Sequence, residues 1–284
     1  MEIIETTARL TEAVADARRR GLTIGLVPTM GALHAGHISL VERARRECDF
    51  VIVSIFVNPT QFNNPDDLRT YPRTPAADCD LLRAAGVDVA FTPTAEEIYP
   101  EPDTRVFDLG PVAEVMEGAM RPGHFNGVAQ IVSKLFALAR PHRAYFGEKD
   151  FQQIAVIRRM AELEGFDDLE IVDCPICREA DGLAMSSRNV RLSAEQRAIA
   201  PRIHAILESS VASRAEGVSP ADTAAAVLDS LAGVEGFKPE YYQIVDANTL
   251  QPLDAWPEGR DAVGCVTVWL GDVRLIDNIK YPAK

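Results

Sequence analysis

Three features are scarce in this sequence of 284 residues: long apolar runs, cysteines and basic charge. Apolar stretches such as residues 50–57 fall far short of the ~20 residues that a membrane-spanning helix needs. Residues 1–5 have neither the basic nor the apolar segment of a signal peptide. Five cysteines, an odd number spread over the chain, are typical of reduced thiols rather than of a disulfide framework. We therefore expect a cytoplasmic protein with no membrane partner.

The charge balance is acidic, with 29 lysines and arginines against 42 aspartates and glutamates and a net charge of −13. A general nucleic-acid binder needs an extended basic face, so we expect no nucleic-acid partner. A small anionic ligand is not excluded, because a few basic groups that converge in one cleft can dominate the local field. The charge therefore argues against extended polyanions and leaves small anions open.

The order of the predicted elements indicates the fold class. Over roughly residues 1–175, short apolar runs alternate with amphipathic helical stretches, which is typical of a parallel sheet covered by helices on both faces. We predict a doubly wound, Rossmann-like α/β domain over residues 1–177. Two predicted helices, 193–216 and 219–231, precede strand-like segments. This order predicts a second, smaller α+β C-terminal domain over residues 178–284.

Residues 27–37 (VPTMGALHAGH) form the most informative motif. They follow a predicted strand and open a predicted helix, the place where open α/β sheets bind ligands and where backbone N–H groups favour an anion. The two glycines have P-loop spacing, but His37 and Ile38 replace the required Lys and Ser or Thr, which excludes a P-loop. His34 and His37 can share one face of the first helical turn and direct ring N–H donors at a phosphate chain. Two ordinary hydrogen-bonded histidines are the alternative interpretation.

Two other segments carry groups suited to phosphate oxygens. Ser186, Ser187 and Arg188 offer two hydroxyls and a permanent charge in a predicted loop, although Ser-Ser-Arg is also ordinary loop composition. Lys149 lies at the end of a predicted strand, where it can neutralise a phosphate, and Gln153 follows one helical turn later. A plain helix N-terminus with exposed charges is the alternative for this segment.

Two features keep other interpretations open. Residues 58–74 are predicted to form a long loop after a buried strand, either a binding loop with Asn and Gln side chains for a hydroxy acid or a surface excursion. Cys174 and Cys177 have the spacing of a redox motif, but they end a predicted strand late in the chain. We interpret these two residues as structural thiols.

The motifs together resemble the pantothenate synthetase family (pantoate–β-alanine ligases), within the HIGH-type nucleotidyltransferase superfamily that carries a His-x-Gly-His signature. They occur in the order found in the family, at residues 27–37, 58–62, 71–74, 121–125, 144–150, 152–153 and 181–189. The signature alone would indicate only the superfamily. Gln61, Gln153 and the Ser-Ser-Arg-Asn block narrow the resemblance to this family.

The resemblance implies ATP-dependent condensation of (R)-pantoate with β-alanine to pantothenate, in the route to coenzyme A. The implied reaction passes through pantoyl adenylate and releases AMP and pyrophosphate. The implied catalytic residues are His37, His34, Lys149 and Arg188.

The same resemblance implies the binding residues and the assembly. Gln61 and Gln153 would bind pantoate, Asp78 would hold Mg²⁺, and the protein would be a homodimer. The implied ATP-binding residues are Met30, Gly31, Ala32, Leu33, His34, Ala35, Gly36, His37, Gly147, Glu148, Lys149, Asp150, Cys177 (through its backbone), Met185, Ser186, Ser187 and Arg188.

Some departures and rival functions remain. The pairs at residues 63–64 (Asn-Asn) and 76–77 (Ala-Ala) depart from the family pattern around the pantoate and metal loops. A nucleotidyltransferase with a different acceptor would share the histidine motif without requiring Gln61 and Gln153. A non-catalytic nucleotide sensor is expected to lack a phosphate ligand, whereas all the predicted ones are present. A redox protein that uses Cys174 and Cys177 is the most remote alternative.

Overall fold

Apolar runs of the first two-thirds of the chain form a six-stranded parallel sheet in the computed structural model, which describes residues 1–283. The strands are β1 (Glu2–Ile4), β2 (Ile24–Thr29), β3 (Phe50–Ile55), β4 (Val89–Phe91), β5 (Arg143–Gly147) and β6 (Glu170–Cys174). Their order is β1-β4-β3-β2-β5-β6, and each neighbouring pair is parallel. Val51, Ile52 and Val53 of β3 are fully buried, as expected for a β-branched strand covered on both faces. The predicted Rossmann-like sheet is confirmed.

The helices in this part of the chain follow the predicted alternation. They are α1 (Thr7–Arg19), α2 (Ala35–Glu47), α3 (Pro65–Thr70), α4 (Pro75–Ala84), α5 (Ala95–Ile98), α6 (Met116–Met120), α7 (His124–Ala139) and α8 (Phe151–Glu164). The prediction that residues 58–74 form a plain loop was wrong, because they contain a 3-10 helix (Pro59–Gln61) and α3. Asn64 caps α3 by accepting from the N–H of Asp66, and Pro65 suits the first helical position.

The strand order reverses between β2 and β5, in the interior of the sheet. From β2 the chain moves to β3 and β4 on one side, and later to β5 and β6 on the other side. Such a reversal separates the connections that follow β2 and β5, and open α/β sheets bind ligands at that point. The turn between β2 and α2 (residues 30–34), here called the signature turn, follows β2, and Gly147 ends β5. Two predicted motifs therefore lie at this switch point.

The C-terminal part consists of α9 (Ala194–Ile199), α10 (Arg202–Ser210), α11 (Ala212–Glu216), α12 (Pro220–Ala232) and an antiparallel sheet of β7 (Phe237–Asp246), β8 (Ala262–Leu270) and β9 (Val273–Tyr281). This arrangement confirms the small α+β domain. Leu207, Leu231 and Val266 share its apolar core. The predicted single helix over residues 193–216 was wrong. The helix is interrupted at Pro201, which has no N–H to continue the helical hydrogen bonds.

Packing divides the chain into two units. The first contains Met1–Leu109, Arg121–Glu148 and Gln153–Pro175, and the second contains Gly110–Met120, Lys149–Gln152 and the described chain from Ile176 onward. The division into domains 1–177 and 178–284 stays a prediction. Within residues 1–283, no helix combines the length and apolarity needed to cross a membrane.

Candidate active site

The signature turn leaves β2 in an unusual backbone conformation. Gly31 has φ +81° and Ala32 has φ +49°, and the left-handed region disfavours a side chain such as that of Ala32 by about 1–2 kcal/mol. Thr29 supports the start of the turn, since its Oγ1 accepts from the N–H of Gly31 at 3.2 Å and donates to the carbonyl of Ser54 at 2.6 Å. A further interaction must compensate for the strain at Ala32.

Asp78 supplies that interaction from the first turn of α4. Its carboxylate accepts from the N–H of Ala32 at 2.9 Å and of Leu33 at 2.8 Å, and from Thr74 Oγ1 at 3.0 Å. The residue is 1% exposed, so water screens these charge-assisted bonds little. A Cβ at Gly31 would lie 3.0 Å from Asp78 Oδ2, which explains the glycine. Asp78 therefore anchors the signature turn.

These contacts do not suit the predicted magnesium site at Asp78. Both carboxylate oxygens already accept protein hydrogen bonds. Mg²⁺ requires octahedral oxygen coordination with several waters or substrate oxygens. Across residues 1–283, no group of three or more His, Cys, Asp or Glu side chains is arranged to hold a metal. We therefore assign no step of the reaction to a metal on Asp78.

The two histidines of the signature lie together at the start of α2. Their ring centroids are 4.0 Å apart. His34 Nδ1 accepts from the N–H of Gly36 at 3.1 Å, and His37 Nδ1 accepts from the N–H of His34 at 3.3 Å. A neutral ring whose Nδ1 accepts carries its proton on Nε2. Both rings are therefore set as Nε2–H donors, the arrangement that phosphate oxygens require.

Gln61 is held at the end of the 3-10 helix that follows β3. Its side chain contacts Met30 Sδ at 3.2 Å and accepts from Asn58 Nδ2 at 3.1 Å, and the residue is 8% exposed. The backbone carbonyl oxygen of Gln61 lies 2.8 Å from His124 Nδ1. Arg121 Nη1 is 3.1 Å from His124 Nε2 and can only donate, so Nδ1 carries the imidazole proton and donates to Gln61. The structure thus brings a predicted pantoate residue against a predicted ATP residue.

The connection after β5 carries three more of the predicted residues. Gly147 ends β5, whose neighbour in the sheet is β2, and Glu148 begins a 3-10 helix. Gln153 lies near the start of α8 and is partly buried. Because β2 and β5 are parallel neighbours, Gly147 and Glu148 lie at the carboxyl ends of the strands, as the signature turn does.

The remaining predicted ATP-binding residues belong to the second unit. Lys149 and Asp150 lie in the 3-10 helix Glu148–Asp150. The backbone N–H of Met185 donates to the carbonyl of Cys177 at 3.0 Å, which pairs two predicted ATP residues. Ser186 Oγ accepts from the N–H of Arg188 at 3.3 Å and caps the 3-10 helix Ser187–Arg191. Local hydrogen bonds thus shape the Ser-Ser-Arg segment.

Cys174 ends β6 and has the properties of a structural thiol. It is 3% exposed, and burial raises the pKa of the thiol although Arg43, 3.7 Å from Sγ, acts in the opposite direction. A buried, protonated thiol is a poor nucleophile at neutral pH. This geometry favours the structural interpretation of Cys174.

Sequence reasoning did not foresee the contacts of three residues that organise the site. Asp78 was predicted as a magnesium ligand, and its bonds to the backbone N–H groups of Ala32 and Leu33 and to Thr74 were not foreseen. His124 was noticed only as part of the motif at residues 121–125, and nothing in the sequence signalled its bond to Gln61. Gly127 of α7 lets the 3-10 helix Pro59–Gln61 pack closely against α7, since a Cβ at this position would lie 2.4 Å from the backbone carbonyl oxygen of Thr60.

Comparisons with known proteins identify the family of the chain. A model of the family described as pantoate-beta-alanine ligase matches residues 2–280. The chain is 60% identical over 285 residues to pantothenate synthetase of Porphyromonas gingivalis, covering 99% of each sequence. It is similar to the crystal structure of pantothenate synthetase from Thermus thermophilus, with a TM-score of 0.92 and 47% identity, covering 99% of this chain and 100% of that one.

A second solved structure adds ligands to the comparison. Pantoate-beta-alanine ligase from Francisella tularensis, complexed with "Beta-gamma ATP" and beta-alanine, has a TM-score of 0.82 and 36% identity to this chain. The match covers 98% of this chain and 97% of that one. The predicted resemblance is confirmed along nearly the whole length of the sequence. This chain belongs to the pantoate-beta-alanine ligase family.

Proposed function

We propose that this chain joins pantoate to β-alanine in an ATP-dependent reaction with pantoyl adenylate as the intermediate. Membership of the family supports the ligase activity. The observation that carries the proposal for the site is the pair of histidines, since both Nδ1 atoms accept backbone N–H groups and both rings are set as Nε2–H donors. Such donors suit the phosphates of ATP.

In the first step a carboxylate oxygen of pantoate attacks the α-phosphorus of ATP, and the bond from this phosphorus to pyrophosphate breaks. The carboxylate is already ionised at neutral pH, so the step needs alignment rather than a general base. Attack by one anion on another requires positive charge and N–H donors around the phosphates. His34, His37, Lys149 and Arg188 supply these groups in the proposal.

In the second step the neutral amine of β-alanine attacks the acyl carbon of the adenylate. The amide bond forms, the bond between the acyl carbon and the AMP oxygen breaks, and the amine gives up one proton. AMP is a good leaving group because its negative charge is delocalised over the phosphate. The donors that bind the α-phosphate in the first step also stabilise this charge.

The binding roles follow the predicted assignment. Gln61 and Gln153 bind pantoate, and the contact between Gln61 and Met30 supports a pantoate pocket next to the nucleotide. Residues 30–37, 147–150 and 185–188, with the backbone of Cys177, bind ATP. In this proposal Mg²⁺ is bound to the phosphates of ATP and is therefore part of the substrate.

The proposal extends to the state of the protein in the cell. A homodimer and a cytoplasmic location are implied by the family resemblance. The five free thiols support a reducing compartment.

Exchange of labelled pyrophosphate into ATP tests the adenylation step. We expect exchange that requires pantoate and does not require β-alanine, because the first step precedes attack by the amine. A matched reaction with a hydroxy acid of similar size controls for pantoate. Exchange with the control acid but not with pantoate would overturn the substrate while leaving adenylation intact.

A further inference from the structure

Two consecutive polar residues are buried in the middle of β9. Asp277 is 5% exposed and Asn278 is 3% exposed. Side chains alternate along a strand, so Asp277 shares the face of Leu275 while Asn278 shares the opposite face with Ile276. Burying such groups is unfavourable unless both find partners. Their partners show what the two residues do.

Asp277 binds Arg178 through a bidentate ion pair. Nη1 of Arg178 lies 2.7 Å from Oδ2 and Nη2 lies 3.0 Å from Oδ1, and the Asp277 side chain is 4% exposed. Arg178 also donates to the carbonyl of Gly182 at 3.1 Å. A buried ion pair is by itself weak evidence of a stabilising role, because desolvation offsets the attraction. The position of Arg178 in the chain suggests another role.

Arg178 lies in a tight hairpin that leads into the Ser-Ser-Arg segment. It follows Cys177 directly and forms an antiparallel bridge with Ala184, and Gly182 turns the chain with φ +92°. The hairpin is closed by the bond from the N–H of Met185 to the carbonyl of Cys177. The ion pair with Asp277 therefore fixes to β9 the hairpin that carries residues 185–188.

Asn278 reaches the other phosphate-binding segment of the same unit. Its Nδ2 donates to the backbone carbonyl of Lys149 at 3.1 Å. The backbone N–H of Asn278 donates to Asp277 Oδ1 at 2.8 Å, so the Asp277 carboxylate is also held by the backbone of β9. Adjacent positions on one strand thus hold two segments that are far apart in the sequence.

A small cavity separates these two segments. Its lining combines the polar residues Lys149, Ser186, Asn189 and Asp277 with five apolar ones, Leu183, Ala184, Ile203, Leu275 and Ile276. Oδ1 of Asn189 is buried and has no hydrogen-bond partner among the described residues. A buried acceptor without a protein partner indicates room for a water or ligand donor. A small space thus lies between Lys149 and Ser186 in this structure.

We propose that Asp277 and Asn278 are positioning residues that hold Lys149 and residues 185–188 in one fixed arrangement before ATP binds. This inference rests on the proposed function, which places both segments on ATP. Preorganised donors accelerate a reaction because they need no rearrangement when charge develops in the transition state. The two residues act through the backbone of Lys149 and through Arg178.

The test compares Asp277→Asn and Asn278→Ala with a matched control. Asp277→Asn keeps the size of the side chain but turns an N–H group toward Arg178, and Asn278→Ala deletes the bond to Lys149. The control is Asp246→Asn in the same sheet. Asp246 is also buried, at 4% exposed, and pairs with Arg260 at 2.9 Å.

In pyrophosphate exchange we expect kcat/KM for ATP to fall about tenfold in both β9 variants, while KM for pantoate stays unchanged. Asp246→Asn is expected to keep wild-type kinetics even where its Tm falls. Each protein is assayed well below its own Tm, and Asn278→Asp, which also lacks the Nδ2 donor, replaces Asn278→Ala if that variant fails to fold. A purely structural role predicts a lower Tm with unaltered ATP kinetics, and that result would overturn the inference.

Calorimetric titration with ATP in the absence of pantoate separates this inference from the proposed function. Weaker ATP binding by the β9 variants, with no exchange by the wild-type protein, would support the positioning role and overturn the pantoate reaction. Wild-type exchange together with unchanged ATP binding and kinetics in the variants would overturn the positioning role alone.

Discussion

The signature turn and the two proposed phosphate-binding segments of the second unit are held in different ways. A single carboxylate of α4, 45 and 46 positions away in the sequence, binds the backbone N–H groups of Leu33 and Ala32. Residues of β9 hold the other segments from 99 and 129 positions away, through an ion pair to Arg178 and a hydrogen bond from the Asn278 side chain to the backbone carbonyl of Lys149. The first device sets backbone direction and the second sets the placement of whole segments.

This difference follows from the groups that each region presents. The turn must orient two rings through the start of α2, so its backbone is fixed directly and tolerates the strained φ of Ala32. The segments of the second unit carry long cationic side chains, which can adjust once their backbone is in place. We therefore expect changes in the turn to affect turnover more strongly than changes on β9.

His37→Ala is the strongest test of that expectation. Removing one preorganised donor should lower kcat by about 10²–10³, with the fold intact. Pyrophosphate exchange and circular dichroism measure the two outcomes. A rate near that of the wild-type protein would remove His37 from the mechanism. It would also contradict the expectation that changes in the signature turn affect turnover more than changes on β9.

Asp78→Asn tests the anchor itself. The amide keeps one acceptor but turns an N–H group toward the turn, which weakens a charge-assisted bond by about 1.5–3 kcal/mol. We expect kcat to fall about 10- to 100-fold, since 1.4 kcal/mol corresponds to a factor of ten. Asp80→Asn is the matched control, because Asp80 lies on the same helix with its side chain 77% exposed.

A magnesium titration distinguishes anchoring by Asp78 from metal binding. An anchor predicts the same Mg²⁺ concentration for half-maximal exchange in Asp78→Asn and in the wild-type protein. A metal ligand predicts a clear increase in that concentration. Such an increase would restore the predicted metal site and contradict the anchoring role.

The sequence predicted the sheet and the motifs well because both depend on local patterns. Apolar runs defined most of the strands, and motif spacing identified the family over residues 27–189. The partners of Asp78 were not predictable, since a lone carboxylate in the first turn of a helix ordinarily caps that helix. Asp277 and Asn278 gave no signal either, because their contacts exist only after β9 has joined its sheet. The sequence thus located the chemical groups, and long-range packing determined how they are held.

Gly127→Ala tests whether backbone placement matters equally for Gln61, the proposed pantoate ligand. The added Cβ would lie 2.4 Å from the Thr60 carbonyl oxygen and 2.7 Å from Gln61 Cα, so the 3-10 helix must move. We expect a loss of about 1–3 kcal/mol in stability, as for other overpacked sites. KM for pantoate should rise about tenfold while ATP binding changes little, because each 1.4 kcal/mol of lost binding corresponds to a factor of ten.

Gly233→Ala is the control for the glycine substitution. Its Cβ would meet only backbone oxygens at 3.4 and 3.6 Å, which is ordinary contact, and it should leave KM for pantoate unchanged. Equal kinetics in the two glycine variants would show that the position of Gln61 does not limit pantoate binding. Backbone placement would then matter only for the proposed phosphate-binding segments.

Cys174→Ala should have the smallest effect, although Cys174 ends a strand of the same sheet as the signature turn. Loss of its buried sulfur should lower the free energy of unfolding by about 1 kcal/mol, and kcat should not change, since no step uses this thiol. Chemical denaturation and exchange kinetics provide the two values. Because β2 and β6 belong to one sheet, a silent Cys174 would show that catalysis depends on the anchored turn after β2 rather than on strand ends in general. A large loss of kcat in the folded variant would instead reopen the redox interpretation.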